Sequence, residues 1–328
     1  MIPKPAPGNP ASYGRVAVVM GGSSAEREVS LRSGTMVLAA LRRKGIDAVA
    51  FDPAERTLDD LATGGFASAF LVLHGRYGED GTIQGALELL RIPYTGSGVL
   101  ASATAIDKIR TKEIWRSRGL ATPAWLVLEA GFNADEVVTE LGLPIAVKPA
   151  TEGSTLGFTK VVAAHELAAA WGLAAAYDDV VLAEAFVTGR ELTITVLGAG
   201  KVARALPVIE IRAPEGNYDY QNKYFGDATR YLCPAPLPPA LTMTLQSLSV
   251  AAYRAIGCSG WGRVDVMLDD SGRPWLLEVN TAPGMTDHSL VPMSARAAGL
   301  EYDDLVELLL ADASLKIRGA RALPGGSW

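Results

Sequence analysis

Four polar residues close together in the chain invite a chemical reading first: Arg263, Asp265, Glu278 and Asn280. They lie in two apolar runs, 261–268 and 274–280, joined by Asp269-Asp270-Ser271-Gly272. That linker is strong turn chemistry, so the two runs read as a β-hairpin. Side chains alternate along a strand, which puts Arg263 and Asp265 on one face and Val264, Val266 and Leu268 on the other. On the return strand Glu278 and Asn280 share a face, with Leu277 and Val279 opposite. If both polar sets face the same way, they converge among the apolar neighbours Trp261, Met267 and Leu276. Buried carboxylates demand a counter-charge. A salt bridge from Arg263 to Asp265 or Glu278 is the plain answer, but one arginine does not satisfy three groups. Two carboxylates and a carboxamide make an all-oxygen donor set suited to Mg²⁺ and to substrate phosphates. The metal reading of Asp265, Glu278 and Asn280 is therefore preferred.

Such a metal implies a nucleotide and groups to hold its phosphates. Lys148 ends an apolar strand at 144–149 and precedes Glu152-Gly153-Ser154-Thr155-Leu156-Gly157. Small residues there let backbone N–H groups approach phosphate oxygens closely. This is not a Walker loop, since no GK[ST] opens a helix, and an ordinary hairpin turn is the plain alternative. Lys108 sits in a helical run before Pro123, where a solvated lysine is the default. Glu184, ahead of Phe186 and Val187, is placed to accept from an adenine amine, and Glu191 to bind ribose hydroxyls. Either acid is equally at home on a surface. His74 follows a buried strand and reads as packed or as a ligand with equal ease.

The elements that carry these residues fall into three groups. The first third alternates strands (15–20, 48–51, 69–73) with helices, one bearing Val37, Leu38 and Leu41 on a single face and one near 82–90. That alternation predicts parallel strands with crossover helices. A helical run follows over 101–118. The middle third reads as a small α+β unit with strands at 144–149, 158–162, 180–186 and 191–197 around a helix at 165–177. A strand near 202–211, a polar segment over 212–230, a helix at 241–256 and the hairpin complete the chain. At 328 residues the chain is long enough for two or three cores, with 49% hydrophobic and 20% charged residues. Its net charge of −6 argues against nucleic acid, and no apolar run approaches the roughly 20 residues that span a bilayer. Residues 1–14 read as a disordered lead-in. Cys233 and Cys258 form neither a disulfide framework nor a CxxC pair, which favours a reducing cytoplasm.

Taken together, several stretches resemble the D-alanine–D-alanine ligases of the ATP-grasp superfamily, over about 16–300. They are Gly21-Gly22-Ser23-Ser24-Ala25-Glu26-Arg27-Glu28-Val29-Ser30, His74-Gly75-Arg76-Tyr77-Gly78-Glu79-Asp80-Gly81, Val147-Lys148-Pro149 and Gly260-Trp261-Gly262-Arg263-Val264-Asp265-Val266. The last is Glu278-Val279-Asn280-Thr281 with Pro283-Gly284-Met285-Thr286 and His288-Ser289-Leu290-Val291-Pro292. The resemblance implies an ATP-grasp fold, α/β and α+β: an N-terminal parallel-sheet substrate domain (15–99), a small central α+β domain (100–193) and a C-terminal catalytic domain (194–320). It implies that Lys108 and Lys148 hold ATP phosphates beside Glu152, Gly153 and Ser154. Glu184, Phe186, Val187 and Glu191 are then nucleoside contacts, and Asp265, Glu278 and Asn280 hold two Mg²⁺ ions, or Mn²⁺. Glu26 receives the ammonium of the first D-alanine, with His74 nearby, and Ser289 and Leu290 hold the carboxylate of the second. Glu26, Ser154 and Tyr224 form a hydrogen-bonded trio that closes a lid over 212–230. A homodimer is the implied assembly.

The implied reaction has two steps: a D-alanine carboxylate takes the γ-phosphoryl group of ATP, and the amine of a second D-alanine displaces phosphate. Arg263 and the Gly284 N–H then face the oxyanion, which explains Arg263 better than a static salt bridge does. Lys223-Tyr224 resembles the lid that makes D-alanyl-D-alanine, against a D-lactate or D-serine acceptor. Phe186 stands where some relatives have Trp, and Asp287 where many have Ser, a departure that touches acceptor binding. A non-catalytic nucleotide regulator is disfavoured because Arg263, Asp265, Glu278 and Asn280 are all present. A dinucleotide oxidoreductase is disfavoured because no GxGxxG follows the first strand.

Overall fold

The computed structural model describes residues 9–153, 156–213 and 229–317. Strands β1 (Val16–Val19), β2 (Ala48–Phe51) and β3 (Ser68–Leu71) pair in parallel in the order β2-β1-β3. Every residue of β1 is buried, as expected when helices cover both faces of a parallel sheet. Val16 and Val18 pack with Val37 and Leu41 of α1 (Arg27–Arg43), while Ala17 and Val19 pack with Leu61 of α2 (Leu58–Thr63) and Leu87 of α3 (Thr82–Leu90). The short α2 was not foreseen, although Thr57 and Asp60 close a full capping box at its start.

The single helical run expected at 101–118 is two helices, α4 (Val99–Ile106) and α5 (Lys108–Ser117). Asp107 breaks it: the residue is extended (φ −83°, ψ 102°) and its carboxylate accepts from the N–H groups of Ile109 and Arg110. A carboxylate at that cap stabilises the new helix, so one residue ends the first helix and starts the second. Ala101, Ala105 and Trp115 are buried in the core of the C-terminal sheet.

The central sheet has the order β4-β7-β5-β6, from β4 (Trp125–Leu128), β5 (Ile145–Pro149), β6 (Thr159–Val161) and β7 (Val181–Ala185). Helices α6 (Ala134–Leu141) and α7 (Leu167–Ala175) bury Val137, Leu167, Ala170 and Ala174 against it. Neither β4 nor α6 was read from the sequence. β4 is an edge strand with an exposed Val127, which blurs its alternation.

The C-terminal sheet runs β11-β10-β8-β12-β13, with β9 pairing to β8. Its strands are β8 (Gly189–Leu197), β9 (Arg204–Ala205), β10 (Ile209–Arg212), β11 (Arg230–Leu232), β12 (Trp261–Asp269) and β13 (Pro274–Asn280). The one strand expected at 202–211 is split into β9 and β10, with Pro207 between them offering no N–H to a ladder. Helix α8 (Pro239–Ile256) covers one face, and α9 (Leu290–Ala297) and α10 (Tyr302–Ala311) return to the first sheet. Arg43 and Lys44 at the end of α1 pair with Asp303 and Asp304 of α10. Among the described residues no helix is long and apolar enough to cross a membrane.

Candidate active site

In the hairpin, Asp265 stands directly opposite Glu278 and Arg263 opposite Asn280, so the four polar residues do share a face. Val264, Val266 and Leu268 take the core side. On the return strand the expected partition fails at one position. A register shift between Asp265 and Val266 leaves Leu276 and Val279 in the core, and Leu277 is only half-buried. A bulge inserts one unpaired residue, which reverses the parity on either side of it.

The salt bridge set aside on sequence grounds is formed. Arg263 donates from Nε to Asp265 Oδ1 and from Nη2 to Oδ2, both at 2.8 Å, and Thr193 on β8 donates to Oδ1 at 2.6 Å. Asp265 is 8% exposed, and Arg263, two residues along the same face, supplies its counter-charge. An ionised carboxylate has about four lone-pair sites, so three donors do not exhaust it. Asn280 Oδ1 is buried with no hydrogen-bond partner among the described residues. An orphaned buried acceptor beside Glu278 and Asp265 is an oxygen donor set that fits Mg²⁺. Among the described residues, no three His, Cys, Asp or Glu side chains cluster at metal-binding spacing.

The Glu278 carboxylate also lies 3.4 Å from Lys108 Nζ, which donates to the Glu152 carbonyl at 2.7 Å. The Asp107 break therefore starts α5 with a lysine aimed at both the hairpin and the 150–153 loop. Lys148 lies 3.6 Å from Glu184, which is 3% exposed and sits 2.5 Å from a second lysine, Lys112. Burial pushes the Glu184 carboxyl up, but the two ammonium groups outweigh it and hold it below the usual carboxylate range. The Lys160 ammonium lies 4.2 Å from the Phe186 ring centre, Val187 is half-buried just beyond, and Glu191 stands on β8 opposite Ile211 and Met267.

A second group stands where the parallel strands end. Gly21 has φ +84°, and a Cβ there would fall 2.3 Å from the Asp52 carboxylate, so only glycine makes this turn. Glu26, 8% exposed, heads α1. A Cβ on Gly75 or Gly153 would lie 3.1 or 3.2 Å from its Oε2, so the carboxylate touches the backbone of both loops. Ser24 binds the His74 carbonyl at 2.7 Å, and Arg76 reaches Glu152 at 2.8 Å. His74 Nδ1 lies 3.7 Å from Glu79, and its Nε2 is buried. Burial opposes the charge on His74, yet Glu79 and Glu26 outweigh it and raise the imidazole pKa. Glu79 is itself raised, by burial and by Glu26.

One cavity joins the two groups. Glu26, His74 and Glu79 line it from the loops, Lys108, Glu152 and Gly153 from the middle, and Arg263, Glu278 and Asn280 from the hairpin. Gly284, Ser289 and Leu290 close it, with Ser289 Oγ 2.9 Å from the Thr286 N–H. This convergence spans most of the chain. A family model described as the D-ala D-ala ligase C-terminus matches residues 114–311, and one described as the N-terminus matches 51–97. The chain belongs to the D-alanine–D-alanine ligase family.

Two curated members, the D-alanine–D-alanine ligases of Cupriavidus metallidurans and Bordetella avium, are each 57% identical over 94% of this chain, which covers 94% and 98% of their lengths. The solved structure of the Bacillus anthracis ligase complexed with ATP aligns at TM-score 0.79 and 36% identity, over 91% of this chain and 96% of that one. Of the residues the resemblance to the ligases pointed to, Asp265, Lys148, Glu184, Phe186, Val187 and Glu191 are not on the cavity wall. Ser154, Lys223 and Tyr224 lie outside the described residues. Sequence reasoning missed Lys112, Thr193 and Glu79 as site residues. Lys112 is one turn beyond Lys108, and that i,i+4 spacing was its only signal.

Proposed function

We propose that this chain condenses two D-alanine molecules with ATP, releasing ADP and phosphate, and that the cavity described above is where it does so. The observation that supports this most is the convergence of Glu26, Lys108, Arg263, Glu278, Asn280 and Ser289 on that cavity, from segments far apart in sequence. The carboxylate of the first D-alanine attacks the γ-phosphorus, giving D-alanyl phosphate. The amine of the second attacks the activated carbonyl, and phosphate leaves.

Glu26 receives the first ammonium group at the floor of the cavity, beside His74. Ser289 and Leu290, at the head of α9, hold the second carboxylate, where helix N–H groups favour an anion. Arg263 and the Gly284 N–H face the oxyanion, with Asp265 fixing the plane of the guanidinium fork. Lys108 and Lys148, with the loop at Glu152, Gly153 and Ser154 and with Lys223, neutralise the phosphates. Phosphoryl transfer asks mainly for this positioning and neutralisation. Glu184, Phe186, Val187 and Glu191 take the nucleoside, supported by the ATP complex of the Bacillus anthracis ligase. Asp265, Glu278 and Asn280 would hold Mg²⁺ or Mn²⁺, which supplies charge neutralisation at the phosphates.

The expected lid over 212–230 lies largely outside the described residues. Its two ends are paired strands, Arg212 opposite Arg230, and the adjoining Tyr231 lines the cavity. Water exclusion there would protect the acyl phosphate, for which Tyr224 and Ser154 are the proposed latch to Glu26. We place the reaction in the cytoplasm, as a homodimer, supplying the dipeptide of peptidoglycan precursors. The test is purified protein with ATP, Mg²⁺ and D-alanine, following phosphate and dipeptide together. D-alanine-dependent release of both is expected, and its absence refutes the reading. Preference for D-lactate near neutral pH would overturn the acceptor.

A further inference from the structure

We propose that Lys112 is a positioning residue for the nucleotide: it carries the counter-charge of Glu184 and so leaves the Lys148 ammonium to the phosphates of ATP. This rests on the ATP site read above and adds a residue to it. Lys112 is completely buried, which is rare for a lysine unless it is paired. Its Nζ lies 2.5 Å from Glu184 and donates to Thr122 Oγ1 at 2.6 Å; Thr122 Oγ1 in turn donates to the Leu276 carbonyl on β13 at 2.8 Å. One ammonium thus spans α5, the end of β7 and the strand that carries Glu278.

Glu184 stands between two cations of unequal distance. Lys112 is the nearer, and Lys148, at 3.6 Å, is the looser and more exposed partner. A carboxylate this buried requires a dedicated cation. With Lys112 in that place, Lys148 is not needed as the main partner. Without it, Glu184 would draw Lys148 into its own ion pair and away from a phosphate. The cost of the arrangement is visible on Lys112, whose pKa burial drives down to about 8 although Glu184 opposes the shift.

The experiment is a double-mutant cycle of Lys112→Met and Glu184→Gln, read by steady-state kinetics and by calorimetric ADP binding. Lys112→Met is expected to raise KM for ATP and Kd for ADP by about tenfold or more while KM for D-alanine stays within about twofold, the split expected when one charged partner of a coupled pair is removed. In the Glu184→Gln background, where no carboxylate needs balancing, the same substitution should change either constant by less than about threefold. An equal rise in both KM values, a loss of kcat alone, or a full effect persisting in the Glu184→Gln background overturns the proposal. If Lys112→Met does not fold, Lys112→Gln, which removes the charge but keeps a polar group beside Thr122, is read by the same split of KM values and in the same Glu184→Gln background. A wild-type chain without D-alanine-dependent turnover would refute the function reading, and the ADP constants would judge Lys112 separately.

Discussion

Glu26, His74 and Glu79 stand on or beside loops beyond the carboxyl ends of parallel strands, whereas Arg263, Asp265, Glu278 and Asn280 stand on the strands of an antiparallel hairpin. In the hairpin the ladder sets the spacing: β12 is bonded along its length to β8 and to β13, so side-chain direction follows from register. At the loops no ladder does this. Position comes from single bonds, between one loop and the next as from Ser24 to His74, or within one loop as from the Gly75 N–H to Glu79. Charge follows the same division. The hairpin pairs Asp265 with Arg263 at short range, while His74, Glu79 and Glu26 share a buried field in which each shifts another. The rigid frame fixes opposite charges in one tight pair, and the loop frame couples several charges at once.

The comparison is tested most severely on the hairpin. Arg263→Ala and Asp265→Asn should each lower turnover by at least about 100-fold while leaving the protein folded, the scale of losing one electrostatic contact in a site. Circular dichroism with kcat measurement checks this, and near-normal turnover in either variant would break the hairpin half of the comparison. Next comes Thr193→Val, which keeps the shape of the side chain and removes the buried donor to Asp265. A hydrogen bond to a charged group is worth about 1.5–3 kcal/mol, so a loss of that size in urea unfolding is expected. An unchanged midpoint would mean that Arg263 alone satisfies Asp265.

At the loops the decisive change is in protonation. Glu79→Gln removes the group that most strongly raises the His74 pKa, leaving Glu26 to oppose burial with less support. The imidazole should then titrate lower than it does in the native chain. His74, His165 and His288 are the three histidines, so NMR titration with single His→Gln controls assigns the signal. Both native shifts make the folded state bind protons more tightly than the unfolded chain does. Their stabilising contribution is therefore present at low pH and is lost as pH rises through the folded pKa values of Glu79 and His74. A His74 titration unmoved by the substitution would remove the coupling that distinguishes the loops.

The same division explains what could be read in advance. Strand β13 and helix α3 were legible to the residue, because periodicity and turn chemistry are local. The bulge beside Asp265 was not, since it depends on how many residues the partner strand offers, and it moved Leu276 into the core in place of Leu277. Asp107 was legible only as a polar residue in a helical run; its role as a break appears once its carboxylate is seen to cap α5. Helix α6 carries a local signal of its own, Asn133 capping an acidic first turn (Asp135, Glu136) ahead of Val137. Lys112 could not be placed from sequence, because a lysine in a polar helix looks solvated until β7 brings Glu184 against it. The roles of the loop residues Glu26 and His74 rest on resemblance, and nothing local in the stretch from His74 to Gly81 says that Glu79 is the acid the histidine faces.

The smallest expected effect sharpens the contrast at the level of one hydroxyl. Ser24 donates to the His74 carbonyl and its Oγ accepts from the Glu26 N–H at 3.2 Å, so a single oxygen ties the loop after β1 to the loop after β3. Both partners are neutral, and the site is only part-buried, so Ser24→Ala should cost about 0.5–1.5 kcal/mol of stability, less than Thr193→Val. Its effect on substrate should nevertheless be the more specific. The two loops carry Glu26 and His74, so loosening them should raise KM for D-alanine a few-fold and leave KM for ATP unchanged. Equal shifts in both KM values, or a stability loss exceeding that of Thr193→Val, would mean that the loops are held by more than these single bonds and that the two halves of the site differ less than their architecture implies.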